Sequence, residues 1–318
     1  MDTPQVLTKE QVADFLQEIQ QKSFPQLKTS LLCVAITVVY IASFFMPLFI
    51  GVITLSFTMT MFIVVTHECA HLSLFRKRIV NVVIGHIAGI FCFMPFPTYQ
   101  RGHRAHHNWV GSNLDKDPTP SPKEQVPPSL YLDVLFKLRI PVLYWYGVFF
   151  PYLFYDINPT ANKRNVKHIL QFTTSLVFTI VLHCLAARYV GTSHYLIVIG
   201  CGFFGSGIIY EHLFTMTQHL GLQSLPEDKE RYSYREQVNF SRSVRLPAST
   251  LFFHFNLHKE HHLAPGLNYQ YLPALHKKIL SSRPDIFQFT SSEIHPFATR
   301  KKPVHEVLSA HKGDDVEV

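Results

Sequence analysis

From Leu31 to Val65 the chain runs for 35 positions without a charged side chain. As one helix, at ~1.5 Å per residue, this stretch would be ~52 Å long, well over the ~30 Å of a bilayer's hydrocarbon core. A single pass cannot hold it. Pro47, with Gly51 close behind, marks the turn, so the pattern predicts two spanning helices joined by a tight hairpin over 31–65. A second apolar pair follows much later: Ile169–Ala187, a turn over Arg188–His194, then Tyr195–Tyr210. The prediction is four spans in two hairpins.

The stretches between and around the spans differ from them. Residues 1–29 form a polar lead in which Val6, Val12, Phe15, Leu16 and Ile19 recur near helical spacing, as a docked or membrane-surface helix would require. Ile79–Phe96 is apolar but short, carries His86 and ends on Pro95 and Pro97, so a re-entrant or interfacial piece is expected. The Pro-rich run 118–128 reads as a loop, and aromatic Pro141–Ile157, broken by Pro151, as interfacial. Residues 66–168 thus separate the two hairpins, 211–300 are mixed polar and read as a cytosolic cap, and 301–318 as a mobile tail. The whole is expected to be one all-α integral membrane domain with interfacial helices.

Lys22 and Lys28, Arg76-Lys77-Arg78, and Lys163-Arg164 with Lys167 flank the apolar runs. Basic flanks mark the cytosolic side, which places both termini there. No short apolar core with a cleavage site opens the chain, so the first apolar segment is expected to stay as an anchor. Composition agrees: mean hydropathy is +0.11, and only 16 % of residues are charged, against ~25 % in soluble domains. The net charge of +7 does not point to nucleic acid, because the basic residues border apolar runs instead of forming one stripe. Cys33, Cys69, Cys92, Cys184 and Cys201 sit in apolar surroundings without a CxxC pair and are expected to be reduced, buried thiols.

Chemistry is concentrated in three histidine boxes, each at or beyond an expected cytosolic helix end. They are HECAH (His67, His71), HRAHH (His103, His106, His107) and HKEHH (His258, His261, His262), together eight of the chain's 19 histidines. Residues three and four apart share a helix face, so each box in helical form aims two or three imidazoles one way. Neutral imidazole suits iron, zinc, copper and nickel. Eight such donors exceed what one four-coordinate zinc requires, and two metal ions are the economical explanation. HECAH also matches HExxH, the zinc-hydrolase helix with Glu68 as general base, but that reading leaves both HxxHH boxes without a role. Glu68 is then expected to support a ligand or the structure. His86, His168, His183, His194, His276, His295, His305 and His311, outside the boxes, are expected to be structural or incidental.

The three boxes, with a membrane hairpin between the second and third, resemble those of the membrane fatty acid desaturase superfamily. The likeness continues in Asp115 and Asp117-Pro118 after the second box, in HHLAPG at 261–266 and LPALH at 272–276 after the third, and in Thr217-Gln218-His219 after the fourth span. It covers roughly residues 30–280. The resemblance implies a di-iron centre held by His67, His71, His103, His106, His107, His219, His258, His261 and His262, with no catalytic side chain apart from the ligands. Some relatives also place an Asn four residues before the added histidine; Thr215 stands there in this chain.

What the resemblance further implies is O2-dependent insertion of a double bond into an unactivated acyl chain, a reaction beyond any protein side chain. Hydroxylation, ketone formation or a triple bond on an acyl, alkane or isoprenoid substrate remains open, because the boxes do not encode the outcome; a zinc-dependent intramembrane hydrolase is the remote alternative. These 318 residues contain neither an HPGG sequence nor cluster-type cysteine spacing. Electrons are therefore expected from an external cytochrome b5-like or ferredoxin-like carrier with its reductase, docking on a basic cytosolic face. The host membrane is either a bacterial inner membrane or the endoplasmic reticulum.

Overall fold

A computed structural model describes residues 13–15, 17–18, 26–110, 166–215, 218, 241–244 and 246–282. Among these the chain is helical throughout apart from short connections and a single antiparallel bridge, Ser243 to Leu257. The chain divides into two compact units. The membrane unit takes residues 25–106 and 139–211; the polar unit takes 1–24, 107–138 and 212–318. The expected interfacial piece at 141–157, the loop at 118–128, the acidic-Pro residues 115–118 and the tail lie outside the described residues, as does most of the polar lead.

The membrane unit contains α1 (Gln26–Ser43), α2 (Leu48–Ala70), α3 (Arg78–Phe91), most of α4 (Phe96–Trp109), α5 (Val166–Val190) and α6 (Thr192–Tyr210). Among the described residues, four helices are long and apolar enough to cross a membrane: α1, α2, α5, and α6 continued to Thr215. Their outward faces carry Val34, Val38, Ile53, Phe57, Val177, Phe178 and Leu196, all exposed. Such a surface is unsuited to water and suited to lipid tails. α2 is the centre of the unit, with 56 % of its apolar window buried against 6 % for α5. It packs against α1, α3 and α6. Gly202 and Gly205 let α6 approach α2 closely: a Cβ added at Gly202 would stand 2.6 Å from Leu55, and one at Gly205 2.3 Å from Ser56 Oγ.

Pro47 is the residue before α2, where the spacing places the first turn. The second turn is shorter than expected. α5 continues through Arg188-Tyr189-Val190 and breaks only at Gly191 (φ +106°), and α6 starts at Thr192. A polar Arg-Tyr pair reads as a turn in sequence, yet both residues are good enough helix formers to complete the last turn. One glycine in the left-handed region then suffices to stop the helix. The stretch 79–96 is α3 followed by a 104° bend into α4. At that bend a Cβ on Gly89 would stand 2.3 Å from the Met94 carbonyl oxygen, and one on Gly85 would meet the buried Phe96 ring.

The cysteine expectation holds only in part. Cys69 and Cys92 are buried, Cys33 is half-buried, and Cys184 and Cys201 are exposed. In a spanning helix, apolar neighbours in sequence mean lipid as often as core, so they do not imply burial.

The polar unit contains a π-helical turn at Glu211–Thr215 (from His212 onward), a 3₁₀ turn at Ser249–Phe252, α7 (His258–Leu263), a 3₁₀ turn at Tyr269–Tyr271 and α8 (Leu272–Ser282). Phe214, Phe252 and Phe255 form an aromatic core, with ring centroids 5.4 and 5.1 Å from Phe214. Ala248, Phe253 and His254 all have positive φ. Each such non-glycine residue costs ~1–2 kcal/mol, and this strain sits immediately before the third box.

Candidate metal centre

In the membrane unit the first box closes α2. His67 is fully buried and His71 caps the helix one turn later. The helix ends in a Schellman motif: Leu72 adopts φ 60°, its N–H bonds to the Cys69 carbonyl (3.0 Å), and the Ser73 N–H bonds to the Glu68 carbonyl (3.2 Å). Gln100 on α4 donates from Nε2 to the Ala70 carbonyl at 3.1 Å, satisfying another of the end carbonyls. α4 brings His103 against both residues, its ring centroid 4.3 Å from His67 and 4.6 Å from His71. The ligand atoms of His67, His71 and His103 lie within 4.8 Å of one another. His106, also buried, follows on the same helix, its ring 5.7 Å from His103.

Glu68 is 1 % exposed and faces His67. His67 Nδ1 lies 3.1 Å from Glu68 Oε1. Against a carboxylate the ring nitrogen is the donor, so Nδ1 carries the proton and Nε2 keeps its lone pair. Ser73 Oγ holds the other carboxylate oxygen at 3.0 Å and also donates to the Glu68 carbonyl. Burial, then the neighbouring His67, Arg104 and His106, hold His71 well below the usual imidazole range. It is therefore neutral at pH 7, which is the ligating form.

In the polar unit, α7 carries the third box. His258, His261 and His262 are all buried. His258 Nε2 and His262 Nε2 are 3.1 Å apart, and so are His261 Nε2 and His107 Nε2. His107 also stacks on His262, with centroids 4.2 Å apart. Every described box histidine is thus on a helix or, for His71, at its C-cap, and beside another box histidine. His219 lies outside the described residues; beside it, Gln218 is buried and donates from Nε2 to the Phe255 carbonyl at 2.8 Å.

Polar side chains also hold α7 from behind. Glu260, fully buried, accepts from His276 Nδ1 at 2.6 Å through Oε1 and from Ser243 Oγ through Oε2. Lys259 and Arg242 are buried with it; desolvation lowers Lys259 to about 8, opposed by Glu260 and helped by Arg242, and lowers Arg242 to about 10. Sequence reasoning expected His276 to be structural or incidental, which its bond to Glu260 fits, and did not single out Glu260 or Ser243. Glu260's place between the box histidines His258 and His261 was the available signal; nothing in sequence ties it to His276.

These residues fit a metal. The donors are imidazoles alone, and two nitrogens each ~2.1 Å from one ion at right angles would be ~3.0 Å apart, close to the Nε2 pairs seen. A carboxylate on the far nitrogen of a ligand, as Glu68 is on His67, is the usual support of a metal-bound histidine.

Helices apolar and long enough to span a membrane, together with clustered buried histidines, are the features that a family assignment must explain. The chain belongs to the fatty acid desaturase family: the family model described as "Fatty acid desaturase" matches residues 41–288. Among curated proteins it is 28 % identical over 239 residues to the "Fatty acid desaturase" of Bacillus subtilis (strain 168), covering 72 % of this chain and 67 % of the relative. It is 25 % identical to the "sn-1 oleoyl-lipid 12-desaturase" of Picosynechococcus sp., over 66 % of this chain and 62 % of the relative. A shorter match, 33 % identical over 34 % of this chain and 28 % of the relative, is to the "sn-1 acyl-lipid omega-3 desaturase (ferredoxin)" of Nostoc sp.. The chain thus spans about two thirds or less of the length of these relatives.

Proposed function

We propose that this chain is a multi-pass membrane desaturase that introduces a double bond into an unactivated fatty acyl chain. The observation that carries the reading is the pairing of family membership with imidazoles gathered on the helices of every box. His67, His71, His103, His106, His107, His219, His258, His261 and His262 hold two irons. With O2 and electrons from an external carrier, the irons supply the oxidising power that hydrogen removal from an alkyl carbon requires.

The protein's own part is preparation. Burial, with the neighbouring His67, Arg104 and His106, keeps the His71 imidazole neutral. Glu68 holds the His67 proton on Nδ1, so Nε2 is the ligating atom. The helix pairs α1–α2 and α5–α6 form hairpins whose loops face away from the cytosol; the boxes, both termini and the cap at 211–300 face it. Two relatives are named for acyl-lipid substrates and one for ferredoxin. An acyl lipid and a small acidic carrier of the ferredoxin or cytochrome b5 kind are the corresponding substrate and donor here.

Expression in a lipid-defined host supplied with a reductase chain, followed by mass spectrometry of the lipids, tests this. A new double bond that depends on O2 is expected. An unchanged double-bond profile, or an oxygenated product in its place, overturns the desaturase assignment. Zinc without iron in the purified protein overturns the iron centre.

A further inference from the structure

α7 has six residues, HKEHHL, and carries three of the nine proposed ligands. A helix this short is not stable alone, and apolar burial along its length cannot fix its rotation. At 3.6 residues per turn, His258, His261 and His262 share one arc, and Glu260 points the opposite way. The contacts agree. Glu260 Oε1 accepts from His276 Nδ1 on α8 at 2.6 Å, and Oε2 accepts from Ser243 Oγ. Ser243 Oγ in turn accepts the Lys259 backbone N–H at 3.1 Å. The 241–244 segment is itself fixed by Val244 N–H to the Asn256 carbonyl (2.9 Å) and Asn256 Nδ2 to the Val244 carbonyl (2.6 Å). Both oxygens of one buried carboxylate therefore tie the back of α7 to two different segments. The His276 side chain is 30 % exposed and Glu260 is not exposed at all, so the bond crosses from the surface to the interior.

We infer that Glu260 and His276 are a positioning pair: their hydrogen bond sets the rotation of α7 and so the aim of His258, His261 and His262 at the metal. The inference rests on the metal-centre reading above. It gives a role to a histidine outside the boxes and a reason for the LPALH segment that carries it. Neither residue touches substrate or metal; both act through the helix. A conserved hydrogen-bond support of this kind typically accounts for about 10–100-fold in metal affinity when it contacts a ligand directly. Acting one step further out, the pair is assigned the lower end, about tenfold.

The test is iron retention by the full chain in detergent, titrated with a chelator and read only on monodisperse protein, with iron-57 Mössbauer spectra of the iron retained. H276A is expected to lose iron at about tenfold lower chelator concentration and to change the spectrum. H276N, whose Nδ2–H can donate where Nδ1–H does, is expected to restore both. Wild-type retention and spectrum in H276A overturn the inference, and so does an equal loss in H276A and H276N. If H276A is not monodisperse, H276L, which keeps bulk but cannot donate, is compared with H276N in its place, with the same two outcomes. Wild-type protein that takes up no iron overturns the metal-centre reading itself, before any variant is compared.

Discussion

The two units fix their histidines by opposite means. In the membrane unit the first box closes a 23-residue helix, and His103 and His106 of the second lie on α4 just past a glycine-lined bend. Apolar packing along α2 determines where His67 and His71 end up; polar bonds such as Gln100 to Ala70 only trim the end. In the polar unit the third box occupies a helix of under two turns, held by a buried carboxylate, a serine and an outlying histidine. Long apolar elements transmit position to their ends through many small contacts. A short element must be fixed by a few directional bonds, each of which matters more.

The largest expected effect treats the units alike. His103→Ala and His261→Ala should each abolish product formation while the protein still appears in the membrane fraction. Full activity in either variant would remove that side of the ligand set. Next, Glu68→Ala should weaken metal retention by about 10–100-fold in a chelator titration. It tests whether the membrane unit needs a directional bond as well as packing; wild-type retention would mean that packing alone orients His67. A backbone test then separates the units. Gly89→Ala forces a Cβ to 2.3 Å from the Met94 carbonyl oxygen, whereas a Cβ at Gly266, after the third box, meets nothing within 4 Å. Gly89→Ala is expected to cost ~1–3 kcal/mol, as overpacking does, read as a lower melting temperature in detergent. Gly266→Ala should leave melting unchanged, and equal shifts would erase the contrast. Smallest of all, His311→Ala should leave product formation unaltered; a substantial loss there would show that the tail is not idle.

Much of this was legible in the residue order. A run of 35 uncharged positions interrupted by Pro47 has few physical solutions, and the observed helices meet at that proline. Box spacing was equally telling: all three boxes are helical, so residues three and four apart do share a face. The α2 stop was not legible, because Leu72 takes a conformation that normally announces itself as glycine. Gly191 was hidden for the converse reason, a polar cluster before it reading as a longer turn. Cys184 and Cys201 show that hydropathy gives the medium and not the direction a side chain faces.

The sequence alone located the four long apolar helices found among the described residues and the helical grouping of the box histidines, since these depend on composition and on spacing along one chain. Only the tertiary structure decided which carboxylate supports which element: Glu68 on His67 from the next residue, Glu260 on His276 from 16 residues away. Hydrogen-bond partners are set by where folding brings two atoms to within about 3 Å. That distance is a property of the packed chain and leaves no period in the sequence.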